Sequence, residues 1–262
     1  MKISDSHNDI LTAVPPRRRF ISDNTINYAV WGTEMNERQI LNVVKFARKK
    51  NLLYSLEDVG NIGSHHRIVE AQPFCISLTW NFENRYAGGV FSDADVKRAG
   101  KLLLRRAEDN GILIDTAHLN KKSFYTVCDV AQKPIINTHS CVFELCDNPR
   151  NLNFAQISMI YESRGFFGLT FCKSFLSRDD ECNYIKKFCE HIDYIAQRLG
   201  VGCLGVGTDF YGSDNLLFST YAGYRIIERE LKKMGYAESD IAAITHTNFE
   251  RLVNAKSEKN IG

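Results

Sequence analysis

Six side chains of metal-binding type stand near the ends of apolar runs that are far apart in the chain. His7 and Asp9 follow the first run, Glu57 follows LLYSL, His118 follows ILIDTA, His139 follows PIINT and Asp209 follows CLGVGT. Three imidazoles and three carboxylates suit a hard-to-borderline divalent cation, with zinc the first choice. One ion would leave ligands unused, whereas two ions sharing a carboxylate would use them all. A hydroxide held between two cations is a nucleophile at neutral pH, and the same cations polarise a carbonyl. A remaining carboxylate can move the proton. Each residue alone also has an ordinary reading. A histidine after a strand can be a hydrogen-bonded loop residue, Asp9 can cap a turn, Asp209 can start one before Gly212, and Glu57-Asp58 can be a solvated pair. It is the shared placement that points to chemistry. His65 and His66 read as loop residues and His191 and His246 as helix residues, all four structural or exposed.

The elements that must position these side chains follow from periodicity. Lys2–Ser4, Ile26–Trp31, Leu52–Leu56, Phe74–Leu78, Ile112–Ile114, Pro134–Asn137, Phe166–Phe171 and Cys203–Gly207 read as strands. Most are too continuously apolar for a half-exposed sheet and read as strands covered on both faces. Helical patterns lie between most of them: Asn36–Lys50, Asp93–Asn110, Lys121–Ala131, Asn153–Ser163, Asp180–Leu199, Tyr221–Met234 and Ser239–Asn254. Ser92 with Asp95 reads as a capping box, and Gly111 and Gly200 as helix stops. The first connection, Leu11–Asn24, contains Pro15 and Pro16 and no good helix. Alternating strands and helices predict an α/β fold, a single compact (β/α)8 TIM-type barrel over residues 1–262 with a reduced first β-to-β connection. In such a barrel the carboxyl ends of the strands converge on one face, which gathers the six residues.

Length and charge agree with that reading. The chain has 262 residues, close to the roughly 250 of a barrel domain. Lys+Arg 33 against Asp+Glu 31 leaves a net charge of +2, which selects neither nucleic acid nor membrane. The run Arg17, Arg18 and Arg19 reads as a solvated loop rather than a phosphate site. No apolar stretch approaches the roughly 20 residues of a membrane span, and MKISDSHNDI lacks a signal-peptide core. A cytoplasmic protein is expected. The eight cysteines form no C-x-x-C pair and read as buried small hydrophobes. No G-x-G-x-x-G follows the first strand, which removes support for a dinucleotide fold.

Taken in order, several fragments resemble the membrane (renal) dipeptidase family, peptidase family M19, of the amidohydrolase superfamily. They are Ser6-His7-Asn8-Asp9, Ser55-Leu56-Glu57, Leu78-Thr79-Trp80-Asn81, Ile114-Asp115-Thr116-Ala117-His118, Asn137-Thr138-His139-Ser140, Cys146-Asp147-Asn148-Pro149-Arg150-Asn151 and Gly205-Val206-Gly207-Thr208-Asp209-Phe210. The resemblance implies a zinc-dependent dipeptidase on a (β/α)8 barrel with two divalent ions. His7, Asp9 and Glu57 would hold one ion; Glu57 would bridge to a second held by His118 and His139. Asp209 matches the family's proton-transferring aspartate. Arg150 matches the arginine that grips the free carboxylate of the dipeptide, a task its planar fork suits. Trp80 stands where the family often has a histidine, which makes it a substrate-contacting candidate that can donate one hydrogen bond but cannot carry a proton. Asp209-Phe210-Tyr211-Gly212 stands where many relatives read D-F-D-G. A homodimer is expected from the relatives. Two other readings remain open: a binuclear hydrolase of another amide, lactam or ester, and a non-catalytic metal- or peptide-binding relative.

Overall fold

The computed structural model describes residues 2–13 and 24–259. Its apolar runs form eight parallel strands: β1 (Ser4–Asn8), β2 (Thr25–Trp31), β3 (Tyr54–Glu57), β4 (Cys75–Ser77), β5 (Leu113–Asp115), β6 (Ile135–Ser140), β7 (Phe166–Leu169) and β8 (Leu204–Val206). They pair in sequence order from β1 to β8. An isolated parallel bridge between Asn8 and Phe210 brings the two edges together, so the sheet is a nearly closed barrel. The (β/α)8 architecture expected from the alternation is thus observed.

The helices are α1 (Ile10–Ala13), α2 (Glu37–Lys49), α3 (His65–Glu70), α4 (Arg98–Asp109), α5 (Lys121–Val130), α6 (Phe154–Glu162), α7 (Lys173–Leu176), α8 (Tyr184–Leu199), α9 (Gly223–Lys233), α10 (Glu238–Ala242) and α11 (Asn248–Lys259). A π-helical turn, Ala243–Thr247, joins the last two. The reduced first connection contains only the four-residue α1 among its described residues. The arginine run at 17–19 lies outside the described residues. No helix among the described residues is long and apolar enough to cross a membrane.

Burial divides the barrel into zones. The outward faces of the strands pack beneath the helices through residues such as Leu56, Leu78, Ile114, Leu169, Ile192 and Ile227. The amino-terminal end of the barrel is closed by Phe74, Cys75, Ile136, Phe166, Phe249 and Leu252. Above this plug the interior is polar. Ser6 Oγ donates to Thr138 O (2.7 Å), and Asn27 Nδ2 donates to Ser6 O and Ser55 Oγ, both at 2.9 Å. Polar groups are tolerated in this interior where such bonds satisfy them. Close backbone approach is part of this packing: a Cβ on Gly207 would lie 1.9 Å from Thr138 O.

The polar interior explains where the strand boundaries moved. β1 was expected to stop at Ser4 and β6 at Asn137, with His7 and His139 beyond them. Both strands instead run through the histidines. Apolarity cannot mark a strand whose side chains point into a hydrogen-bonded interior. The pairing registers shift between Asp5 and Asn8 and between Asn137 and Ser140, so an irregularity brackets each histidine. Such bulges re-aim side chains at active-site rims.

Two local expectations are corrected. The capping box at Ser92 does not start a helix; α4 begins at Arg98. The carbonyls of Ser92 and Ala94 are taken by Asn120 Nδ2 at 2.6 and 2.7 Å, which holds the segment extended over the start of α5. His65 and His66 open α3, capped by Ser64, rather than sitting in a loop. By contrast, Asn36 and Gln39 make a reciprocal capping box on α2, and Gly111 ends α4 with φ of 69°.

Candidate active site

The six residues singled out by type do converge. His7 lies in β1 and Asp9 just past it, Glu57 ends β3, His118 lies just beyond β5, His139 lies in β6, and Asp209 lies just beyond β8. All but the half-buried Asp209 are buried. His118 and Asp209 adopt positive φ, 68° and 61°, so the chain turns sharply at each to aim the side chain. Asp209 N also donates to His7 O (3.1 Å) and Asp9 N to Phe210 O (2.9 Å), which ties the last strand end to the first.

Glu57 is central. One carboxylate oxygen, Oε2, is 3.7 Å from His7 Nε2; the other, Oε1, is 2.8 Å from His118 Nε2 and 3.7 Å from His139 Nε2. His7 Nε2 is also 3.1 Å from Asp9 Oδ2. His118 Nε2 and His139 Nε2 are 3.0 Å apart. Two groups bring their ligand atoms within 4.8 Å of one another: His7, Glu57 and His139, and His7, Asp9 and Asp209. His7 belongs to both, a partition that differs from the one the resemblance implies.

Several residues not singled out from the sequence hold the imidazoles in place. Asn81 Oδ1 accepts from His118 Nδ1 (2.8 Å). Thr138 Oγ1 donates to Asp115 Oδ2 (2.7 Å) and so accepts from His139 Nδ1 (3.0 Å). In both cases Nε2 is left as a bare lone pair turned into the cluster. Asp5, beneath His7, accepts from Thr208 Oγ1 (2.7 Å), Tyr221 OH (2.8 Å) and the backbone N–H of His7 (3.1 Å) and Thr208 (2.8 Å). Asp5, Asp115 and Thr138 stand within three positions of a ligand-type residue, a signal that Asn81 lacks.

The electrostatics follow from burial. Burial drives the pKa of His118 and His139 well below the ordinary value, with Arg150 and His7 adding repulsion, so both rings are neutral. Burial also lowers His7, but the carboxylates of Asp9 and Glu57 outweigh it and push its pKa up to about 10. Burial raises Glu57 well above the carboxylate range and lifts Asp209 to about 7, with Asp9 repelling each anion. Burial lowers Arg150.

The donor set fits divalent cations. Two neutral imidazoles that turn Nε2 lone pairs toward each other cannot hydrogen-bond, but both can serve as metal ligands. Asp9 Oδ2 is buried and has no aligned hydrogen bond among the described residues, despite its proximity to His7. A Cβ on Gly212 would lie 2.4 Å from both Asp9 Oδ2 and Asp209 Oδ1, so the glycine leaves those oxygens their space. Arg150 Nη2 lies 2.9 Å from His139 Nε2. One lone pair cannot serve a guanidinium and a cation together, so loading the second position requires that contact to break.

The cluster opens into a cavity of about 470 Å³. That lies in the range of roughly 300–1,000 Å³ typical of small-molecule sites. Asp9, Glu57, His118, His139 and Asp209 meet Arg150, Asn148, Cys172 and Phe175 on one wall and Trp31, Trp80 and Phe91 on another. Arg150 and Trp80, the two substrate-contacting candidates, therefore both line the cavity. The Arg150 guanidinium carbon lies 5.6 Å from the centre of the Phe175 ring.

The comparisons with known proteins agree with this architecture. The family model described as membrane dipeptidase (peptidase family M19) matches residues 73–260. An uncharacterised protein in the pqqA 5' region of Klebsiella pneumoniae is 29% identical over 188 residues, covering 66% of this chain and 69% of that protein. The dipeptidase tcpJ of Claviceps purpurea is 25% identical over 162 residues, covering 60% of this chain but only 38% of that protein. A metallo peptidase from Rhodobacter sphaeroides, solved with a phosphinate mimic of the dipeptide L-Ala-D-Ala, superimposes with a TM-score of 0.81 at 18% identity, over 97% of this chain and 99% of that one. With most of its length matched by the family model and its barrel matched end to end, the chain belongs to the membrane dipeptidase family, peptidase family M19.

Proposed function

We propose that the protein is a zinc-dependent dipeptidase. The observation that carries this reading is the division of Glu57, whose two oxygens face different imidazoles at the floor of a cavity that also contains Arg150 and Asp209. His7, Asp9 and Glu57 would hold one divalent ion, and Glu57, His118 and His139 the other. When bound, the ions supply an activated water nucleophile and polarise the scissile carbonyl.

The chain's own residues do the rest. Arg150 binds the free carboxylate of the dipeptide. Its bonds to His139 use Nη2 alone, and no other hydrogen bond to its guanidinium is present among the described residues. The remaining planar N–H groups match a carboxylate in two-point geometry. That contact orients the substrate so that its peptide carbonyl lies over the cluster. Asp209, among the ligand atoms of His7 and Asp9, takes the proton from water and delivers it to the leaving amine.

The test is a panel of L-L and L-D dipeptides on metal-loaded protein, with Arg150→Ala beside the wild type. Hydrolysis abolished by chelation is expected, with KM rising by about 100-fold in the variant, the loss appropriate to a charge-assisted two-point contact. A metal-loaded protein that binds dipeptides tightly without turnover would be a binding relative instead. Trp80, standing beside His118 at a ring separation of 5.8 Å, favours a second reading, hydrolysis of another amide, lactam or ester. Turnover of a substrate without a free carboxylate, indifferent to Arg150→Ala, would select it.

A further inference from the structure

The wall opposite Arg150 is built from aromatic rings on a different arc of the barrel. Trp31 ends β2, Trp80 lies just past β4, and Phe82 and Phe91 lie on the connection that follows. The Trp31 and Trp80 rings are 5.5 Å apart, Trp80 and Phe82 6.1 Å, and Phe82 and Phe91 5.7 Å. Phe91 N donates to Asn81 O (2.9 Å), which fastens the connection beside Trp80. A Cβ on Gly89 would lie 2.2 Å from Trp80 O, so only glycine lets the chain fold back this closely. Phe82 and Phe91 are nevertheless 59% and 60% exposed. Rings held in place yet left open to water at a cavity mouth lose free energy that an apolar ligand would recover.

Position decides what the wall would touch. In an eight-stranded barrel, β2 to β4 face β6 to β8 across the axis. Arg150 follows β6, and the His–Glu cluster lies between. A dipeptide with its carboxylate on Arg150 and its peptide carbonyl over the cluster must direct its first residue toward Trp31, Trp80 and Phe91. The four rings carry no charge. The ring faces also suit a nearby α-ammonium.

We infer that Trp31, Trp80 and Phe91 form a selectivity pocket for a large aromatic or apolar side chain on the amino-terminal residue of the dipeptide. The inference rests on the dipeptidase reading and on Arg150 as the carboxylate anchor. It names the substrate class as dipeptides of the form Phe-Xaa, Trp-Xaa or Leu-Xaa.

Two measurements test it. The first compares kcat/KM of zinc-loaded protein for Phe-Ala, Ala-Phe and Ala-Ala. Phe-Ala is expected to exceed Ala-Ala by about tenfold or more, the yield of filling an apolar pocket, while Ala-Phe gains little. Phe91→Ala should shrink the Phe-Ala to Ala-Ala ratio to about threefold or less with metal content unchanged. The second uses the fact that the chain's 2 tryptophans are Trp31 and Trp80, so emission excited selectively at tryptophan reports the wall alone. A phosphinate isostere of Phe-Ala should shift that emission and saturate at lower concentration than the Ala-Ala isostere. Equal rates for Phe-Ala and Ala-Ala, or a gain for Ala-Phe instead, overturn the pocket and leave the dipeptidase standing. If no dipeptide is cleaved, the dipeptidase reading fails. The emission titration then decides the pocket by itself: tighter saturation by the Phe-Ala isostere retains it, and an unchanged spectrum removes it.

Discussion

At the scale of single residues, the site separates groups that would touch ions or substrate from groups that aim them. Asp209 belongs to the first kind. Asp209→Asn should retain bound metal and lower kcat by about 10²–10⁴-fold, the usual worth of a positioned proton-transfer group; turnover equal to wild type would remove it from that role. Asn81 belongs to the second kind, because its carbonyl fixes the tautomer of His118. Asn81→Ala should weaken metal affinity by about 10–100-fold in competition with a chelating dye, as loss of an outer partner does elsewhere. Affinity unchanged by that substitution would mean that His118 is held by packing alone. The ligand-type residues were legible in the sequence because His, Asp and Glu just past apolar runs are conspicuous. Asn81, Asp115 and Thr138 were not, since an asparagine, a strand aspartate and a threonine look ordinary until the fold brings their partners alongside.

At the scale of elements, the alternation of strands and helices was readable, and boundaries were lost where local and tertiary preferences disagreed. Ser92 carries a capping-box signature, yet Asn120 claims the neighbouring carbonyls and α4 starts later. His191, on α8, shows the reverse, a helix histidine with a specific structural task. Its Nδ1 accepts from Val142 N (3.1 Å) and its Nε2–H donates to Leu176 O (3.1 Å), which clamps the segment after β6 and the end of α7 to α8. Burial lowers its pKa from 6.5 to about 4. The unfolded chain therefore binds a proton between those values that the folded chain refuses. Its contribution is intact above about pH 6.5 and is lost on the way down to about pH 4, about 3 kcal/mol in all. Denaturant unfolding at pH 7.5 and 4.5 should show a smaller acid loss in His191→Gln than in wild type. Identical losses in the two proteins would place the acid sensitivity elsewhere.

At the scale of the whole molecule, the barrel explains why a near-neutral chain can carry a strongly polarised centre. The carboxyl ends of β1, β3, β5, β6 and β8 bring the six ligand-type side chains to one end, while Phe74, Phe166 and Phe249 seal the other. No pair of neighbouring residues in the sequence contains the site; closure of β8 onto β1 assembles it by joining Asp209 to His7 and Asp9. The shortened first connection leaves the ligand-bearing strand ends intact. The central claim is that this assembly holds two divalent ions bridged by Glu57 and hydrolyses dipeptides with them. The most direct test is metal analysis of protein reconstituted with zinc and freed of excess, with dipeptide turnover measured on the same samples, for wild type and Glu57→Gln. The account predicts two zinc ions per wild-type chain, turnover that appears only as both sites fill, and loss of occupancy and turnover together in Glu57→Gln. A wild-type chain that binds at most one ion, or a Glu57→Gln chain that keeps both ions and full turnover, would contradict it.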